Sequence, residues 1–552
     1  MNVQKIVFSA LLLGSLASCT KVEDKFDELL INPNNPQPEA ANVDLFLNRV
    51  QLGVSSVFNT ASSVGGKLTR QEVFYGPLYN NGYNPQSFNG VWSTAYTSVL
   101  QNANNMITLA QSQNRLIHVG IGKILKAYTL ATLVDMFGDV PYSEANLGAA
   151  NTNPKADQGS AVYAACMGLL DEAIADIGSS VSSTPAPSND LFYGGNKTRW
   201  VTAAKTLKLK LLITTRLVDA GAKDKINALL AANDLIDTNA EDFTFKYGTK
   251  QDAPNSRHPR FNTYYTATGA GDYIGTYFMW SMTQEKALGT FGDPRTRYYF
   301  YRQKTNLGGV SEDNLPCAGI APPAHYVTSD APYCWLSGGF WGRDHGDDSG
   351  IPPDGTMRTA YGIYPAGGKF DANQNVRVNI NDGAQGMGIA PIWMSSFTDF
   401  VKAEAALVLG TTGDPRALLE SGVKKSIATV LAYPASIGQS ISSDFIPTQA
   451  TIDAYVNRVL EIYDNASTTK ERLEVIIKEY YLASWGNGLE PYNSYRRTSL
   501  PSNLQPTLQT SPGVYMRSFW LPADYVNLNL NADQKADVGV KVFWDTNPDN
   551  LK

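Results

Sequence analysis

Apolar residues recur along this chain at helical spacing in two long regions. Residues 199–218 put Trp200, Ala204, Leu207, Leu211 and Val218 on one stripe, with Lys205 and Lys208 facing elsewhere. Residues 470–485 align Leu473, Ile476, Ile477 and Tyr480, opposite Glu474 and Lys478, an i,i+4 pair. Residues 91–110 repeat the pattern through Trp92, Tyr96, Val99, Ala103 and Ile107. Segments 120–137 and 160–177 are helical too, the first stopped by Gly138 after Phe137. Residues 396–432 predict a helix pair: 397–409, a break at 410–414, then 415–431 with Asp414 as cap and Pro415 in the first turn. Such short-linked pairs resemble tetratricopeptide-type units, although no strict 34-residue period aligns.

The helical signal is confined to 43–232 and 395–486. Between them, 240–394 is rich in Gly, Pro, Asn and aromatics, and 487–552 has a similar character. A structureless insertion of that length is uncommon, so the scaffold orders it or it carries function. The expected fold is mostly α, one helical scaffold over 43–552 bearing a large irregular, loop-rich layer.

The other strong pattern is at the start. Lys5 precedes an apolar run over 6–16, too short for the roughly 20 residues that span a bilayer. Leu16-Ala17-Ser18-Cys19 follows and resembles a bacterial lipobox. It assigns 1–18 to a lipoprotein signal peptide and Cys19 to acylation, several chains anchoring far better than one. Residues 19–42 then read as a tether: Thr20-Lys21-Val22-Glu23-Asp24-Lys25 resembles an outer-face export tag, and Asn32-Pro33-Asn34-Asn35-Pro36-Gln37-Pro38 is turn-rich, extended chain.

Composition narrows the chemistry. A net charge of −6 over 552 residues argues against nucleic-acid binding. There is no Gly-x-Ser-x-Gly, no phosphate-binding Gly-rich loop and no His-Glu-x2-His. The four histidines, His118, His258, His325 and His345, have no metal-ligand spacing, so no metal is expected from them. Cys166 sits in a helical pattern as a small hydrophobe. Cys317 and Cys334 flank a Pro-rich loop in an exported chain; pairing them would add about 3 kcal/mol by loop closure, and the sequence leaves the pairing open.

Glu404 shares the apolar face of Phe397, Val401 and Val408. A carboxylate there must be paired or hydrogen-bonded, with Arg496 or Arg497 as partner, so it reads as a structural clamp rather than an acid catalyst. Asp344, Asp347 and Asp348 are able to offer oxygens to calcium, the one structural cation the sequence suggests. Gly346, however, occupies the third position of a calcium-hand register starting at Asp344, and a turn network bonding backbone N–H groups fits better. For ligand contact, loop aromatics outrank helix aromatics such as Trp92 and Trp200. That leaves Tyr79 and Tyr83, with Asn80 and Asn81 between them, and Trp335 and Trp341. Rings stack on apolar sugar faces while amides meet hydroxyls; packing of the irregular layer is their alternative role.

Several stretches resemble the SusD/RagB family, including its branch of SusD-like starch-binding outer-membrane lipoproteins. They are Asn32-Pro33-Asn34-Asn35-Pro36, Met136-Phe137-Gly138-Asp139-Val140-Pro141-Tyr142-Ser143-Glu144-Ala145, Trp200 with Ala204-Lys205-Thr206-Leu207-Lys208-Leu209, Gly292-Asp293-Pro294-Arg295, Lys402-Ala403-Glu404-Ala405-Ala406 and Asn487-Gly488-Leu489-Glu490-Pro491-Tyr492-Asn493-Ser494-Tyr495-Arg496-Arg497. The family's terminal Tyr-Pro-x-x-Glu is matched only loosely, by Leu521-Pro522-Ala523-Asp524. The resemblance implies tetratricopeptide-like helix pairs, no enzymatic activity, and an outer-membrane lipoprotein facing the cell exterior. It also implies a partner, a SusC-like TonB-dependent barrel that receives the cargo. That cargo is expected to be oligosaccharide, with oligopeptide as the alternative. A tethered glycoside hydrolase or a purely structural adaptor are the more distant readings.

Overall fold

A computed structural model describes residues 42–289, 291–306, 315–327, 331–349 and 353–552. The signal peptide, Cys19 and all but the last residue of the tether lie outside the described residues.

The architecture is mostly α. Val43–Leu68 opens the scaffold, with the Asn42 side chain accepting the Asp44 N–H at 2.9 Å. Asn89–Ser93, a π-helical turn Thr94–Leu100 and Gln101–Ser112 then run on as one rod. Leu116–Phe137 is long and apolar enough to cross a membrane, but 94% of its apolar window is buried inside the protein. It is a core helix, wrapped by Val43–Leu68, Gln101–Ser112 and Gly159–Gly178. Gly120 lets it press on the last of these, because a Cβ there would lie 2.3 Å from the Ile177 side chain. Its end is set by Gly138 at φ +80°. Lys197–Thr214 packs alongside, burying Trp200, Ala204, Leu207 and Leu211. The helix stops at Thr214, four residues short of the expected stripe, and Val218 is 43% exposed.

The second helical group contains Ser395–Leu409, Pro415–Ser436, Gln449–Asn465 and Thr469–Ala483. The Asp414 carboxylate caps Pro415–Ser436 through the Arg416 N–H at 3.1 Å, and Gly410 closes the preceding helix in the left-handed region. Thr469–Ala483 departs from its expected two-faced character. Lys478 is buried and pairs with Glu285 at 2.9 Å, and the Glu474 carboxylate accepts the Ser502 N–H at 2.9 Å. The loop-rich layer covers the polar side of this helix, so the expected i,i+4 pair is drawn instead to two distant segments.

That layer is ordered around short elements. Phe243–Lys246 pairs antiparallel with Ile389–Trp393, Lys246 opposite Ile389, and Phe300–Tyr301 pairs with Ala360–Tyr361. The C-terminal region is less irregular than expected: it contains the buried helix Leu489–Thr498, docked on Val43–Leu68. A Cβ on Gly65 would sit 2.3 Å from the Gly488 carbonyl oxygen, so only glycine permits this crossing. Core packing is continuous from Val43 to Trp544.

Candidate functional site

The helix Val43–Leu68 delivers the chain into the loop that carries Tyr79. Arg70, at φ +66°, turns the backbone and spends its guanidinium on carbonyl oxygens, Nε on Gln505 at 2.9 Å and Nη2 on Lys552 at 2.7 Å. Tyr79 packs beside Phe74 and Tyr515, and its hydroxyl lies 3.0 Å from His345 Nε2. Burial pushes that hydroxyl up to about 12 and holds the His345 imidazole well below its usual range, with the nearby Arg70 charge assisting the latter. The Gly346 N–H donates to the Phe74 carbonyl at 2.9 Å. Two loops far apart in sequence are therefore sewn together.

The aspartates of the second loop serve it internally. Asp344 is buried, accepting the Cys334 N–H at 2.7 Å and Gln505 Nε2 at 2.8 Å, and burial raises its carboxyl to about 6. Gln505 also donates to the Pro332 carbonyl and accepts from the His345 N–H. Asp347 accepts from the Ser349 N–H and hydroxyl at 2.9 and 2.6 Å, while Asp348 is exposed. The three carboxylates do not converge, and among the described residues no group of three metal-ligating side chains forms. Asp344 and Asp347 instead bond backbone N–H groups, the pattern of a turn network.

The ligand candidates divide by exposure. Trp341 is 0% exposed and donates its indole N–H to Asp354 at 2.7 Å; Tyr79 is 1% exposed. Both face inward and hold loops together, which corrects the expectation that they meet a ligand. Trp335 is 45% exposed. Tyr83 is half-buried against Phe74 and Phe88, and the Asn80 and Asn81 side chains reach the surface. The Asn80 carbonyl accepts from the Trp520 indole at 3.3 Å, which anchors that turn.

Cys317 and Cys334 form a disulfide, Cα–Cα 5.7 Å, immediately before Trp335. The bridge belongs to a small apolar cluster with Val73, Tyr273 and Trp341, flanked by the half-buried rings of Tyr75 and Tyr333. The Tyr75 hydroxyl donates to Asp272 at 2.5 Å. Beneath lies Arg343, 1% exposed, with its guanidinium 4.8 Å from the Tyr273 ring and 3.6 Å from the Asp347 carboxylate. Among the described residues, none of its three guanidinium nitrogens makes a hydrogen bond. Tyr75, Tyr333 and Arg343 escaped the sequence reading. Tyr333, two residues from Trp335 across a cysteine, was the one with a usable signal. Exposed and half-exposed rings with adjacent amides can stack on and hydrogen-bond a neutral, hydroxyl-rich ligand. Of the acid–base groups of this loop, Asp344 and His345 are buried and engaged, and Asp348 stands exposed.

Glu404 lies away from this face, in the scaffold. Arg497 grips it with two bonds, 2.9 and 2.8 Å, and Arg216 adds a third at 2.8 Å. Arg496 points elsewhere, to the backbone carbonyls of Arg517 and Asp135. Burial works against the charge, but the two guanidinium groups outweigh it and bring the carboxyl down to about 2. Cys166 is a free, buried thiol.

Residues 33–314 match a family model described as starch-binding and associating with the outer membrane, and residues 369–529 match one described as SusD and RagB outer membrane lipoprotein. The chain belongs to the SusD/RagB family. Membership makes it a nutrient-binding protein of the outer membrane and accounts for the helix-pair scaffold under a loop-built face. Solved structures agree in fold. A SusD/RagB family protein from Bacteroides thetaiotaomicron is 17% identical, with 92% of this chain and 99% of that one covered and a TM-score of 0.65. A SusD homologue from Bacteroides fragilis is 18% identical, covering 92% and 99%, TM-score 0.62. A chitin-binding SusD homologue from Flavobacterium johnsoniae is 19% identical, covering 91% and 100%, TM-score 0.59. No curated protein matches the chain in sequence.

Proposed function

We propose that this SusD/RagB member is a non-catalytic capture protein on the cell exterior that binds oligosaccharide and passes it to a SusC-like TonB-dependent outer-membrane transporter. In this reading residues 1–18 are removed, acylated Cys19 holds the protein to the membrane, 19–42 form the tether, and the remainder is one domain. The observation that carries it is the Trp335 ring, displayed beside the Cys317–Cys334 bridge with Tyr75 and Tyr333 at its margin. Stacking of a flat indole on sugar C–H faces needs that exposure, and the chitin-binding relative supports glycan over peptide. The reading requires no cofactor.

The lipidated protein, purified in detergent, is to be applied to an array of glycans and peptides. Retention of a glycan set that Trp335→Ala abolishes supports the proposal. Retention of peptides alone moves the cargo to oligopeptide, and release of shortened glycans makes the protein a hydrolase. Isolation from outer membranes with a copurifying barrel tests the partner; recovery of Cys19→Ser protein still bound to membrane would remove the lipid anchor from the account.

A further inference from the structure

A cleft of about 340 Å3 opens between the end of the Thr276–Thr283 helix and the segment that follows Trp335. Thr283, Gln284, Ala287 and Gly289 line it from the helix side, Ser337 and Phe340 from the loop side. Among the described residues this lining carries no charge. Other clefts of the surface differ: one of about 220 Å3 is lined by Glu285, Lys286 and Lys478, and one of about 500 Å3 by Asp219 and Lys225. The charges next to Gln284 in sequence are spent elsewhere, Glu285 on Lys478 and Lys286 on Glu479, each at 2.9 Å.

The polar groups left open in this cleft are side chains. The Gln284 N–H donates to the Trp280 carbonyl at 2.8 Å, and the Gln284 carbonyl accepts the Ala287 N–H at 3.0 Å. The Thr283 hydroxyl donates to the Met279 carbonyl at 2.7 Å. Among the described residues the Gln284 amide and the Ser337 hydroxyl make no hydrogen bond, and both residues are exposed. An amide and a hydroxyl each donate and accept, as the hydroxyls of a sugar require. A peptide strand docks through main-chain bonds to an open backbone edge, which Gln284 does not offer. Phe340 supplies the apolar side, packed on Phe291 and Phe300 with ring centroids 6.2 Å away in each case.

Ser337 stands two residues after Trp335, a span of at most about 7 Å. The segment between them is fixed from both sides. The Cys317–Cys334 bridge precedes Trp335, and Arg302 donates from Nη1 to the Gly338 carbonyl at 2.7 Å. Arg302 is itself held by Asp371 at 2.6 Å. A ligand reaching both positions meets a surface already ordered, so little affinity is lost to arranging it.

We infer that this cleft is a second subsite for an uncharged oligosaccharide, taking the units that extend beyond the ring stacked on Trp335. Gln284 and Ser337 meet sugar hydroxyls, while Ala287 and Phe340 close the apolar side. The volume accommodates roughly two sugar units, within the ordinary range of small-ligand clefts. The inference rests on the Trp335 reading and adds to it the charge class of the cargo and the direction in which its chain runs.

The test is calorimetric titration of the lipidated protein in detergent with cello-, malto- and chito-oligosaccharides, from disaccharide to hexasaccharide. In at least one series affinity is expected to rise about tenfold with length. Gln284→Ala with Ser337→Ala is expected to erase that rise, each neutral hydrogen bond being worth about fivefold. Disaccharide affinity and melting temperature are expected to stay unchanged, since neither side chain has a partner to lose. Ser337→Trp, which fills the cleft, is expected to do the same. Trp335→Ala is expected to weaken every length. Affinity independent of length, a rise that survives both cleft variants, or an equal loss at every length in them would overturn the subsite and leave the Trp335 reading in place. Failure of all three series to bind, or binding indifferent to Trp335→Ala, would remove that reading and the subsite with it. Binding of N-acetyl-pentaalanine amide that the cleft variants abolish would give the cleft to peptide and overturn the inference.

Discussion

The Tyr79 hydroxyl lies 3.0 Å from His345 Nε2, a contact that locks the loop after Val43–Leu68 to the loop carrying the disulfide and Trp335. Neither residue touches solvent, yet both fix the height at which the exposed ring stands. Tyr79→Phe leaves His345 Nε2 without a partner in a buried setting, which costs about 1–3 kcal/mol. Urea unfolding should show a loss of that size. Glycan affinity should fall with it, because the two loops lose their registration; unchanged affinity at reduced stability would separate the loop junction from the binding face.

Trp335 and Trp341 lie in one loop and should behave oppositely. Trp341→Ala removes a wholly buried ring and the indole N–H that the Asp354 Oδ2 accepts, while Tyr273 and Arg358 still hold Oδ1, so a loss of about 3–5 kcal/mol is expected. Trp335→Ala removes an exposed ring, leaves the melting temperature within about a degree and lowers glycan affinity about tenfold, equivalent to 1.4 kcal/mol. Thermal melting with glycan titration on both variants checks the contrast.

Periodicity located the scaffold because helix packing is local in cause: the Trp200 stripe and the Asp414-Pro415 start each lie within a few turns of chain. The family resemblance carried the architecture further than periodicity alone. Exposure inside the irregular layer was not legible. Trp335 and Trp341 have equivalent loop contexts, and what separates them is Asp354, which waits under one and not the other. The same limit applied to Glu404. Burial of a lone carboxylate demanded cations, and Arg497 stood in the right motif, but Arg216 arrives from 188 residues away and Arg496 is diverted to backbone carbonyls. Lys478 looked solvated until a distant loop was laid across it. Sequence spacing reports one element's face; it is silent about which other element comes to cover it.

The Cys317–Cys334 bridge spans 17 residues, a loop whose closure is worth about 3 kcal/mol to the folded state. Its attachment to the small cluster under Tyr75 and Tyr333 makes the effect local as well as global. Cys317→Ser with Cys334→Ser should increase hydrogen exchange of the backbone around Trp335 while amides in Leu116–Phe137 keep their protection. Glycan affinity should fall by a factor comparable to Trp335→Ala. Uniform loss of protection across both regions would show instead that the bridge secures the whole fold.

Glu404 supplies the clearest pH dependence. Its folded carboxyl is depressed to about 2 from an ordinary value of 4.5, because two guanidinium groups hold the ionised form. A depressed acid stabilises the fold fully above its unfolded value, and that contribution is lost as pH falls from about 5 toward 2. Glu404→Ala leaves Arg216 and Arg497 buried without their counter-charge, a defect that costs about 3–5 kcal/mol. The variant should melt well below the parent at pH 7, and the gap should narrow on acidification, since the parent then loses the same interaction. Glycan affinity of the folded variant should match the parent, the clamp being remote from the Trp335 face. A melting difference that stays constant from pH 7 to pH 3 would contradict the ionised clamp, and a loss of affinity at unchanged stability would place Glu404 in the binding machinery.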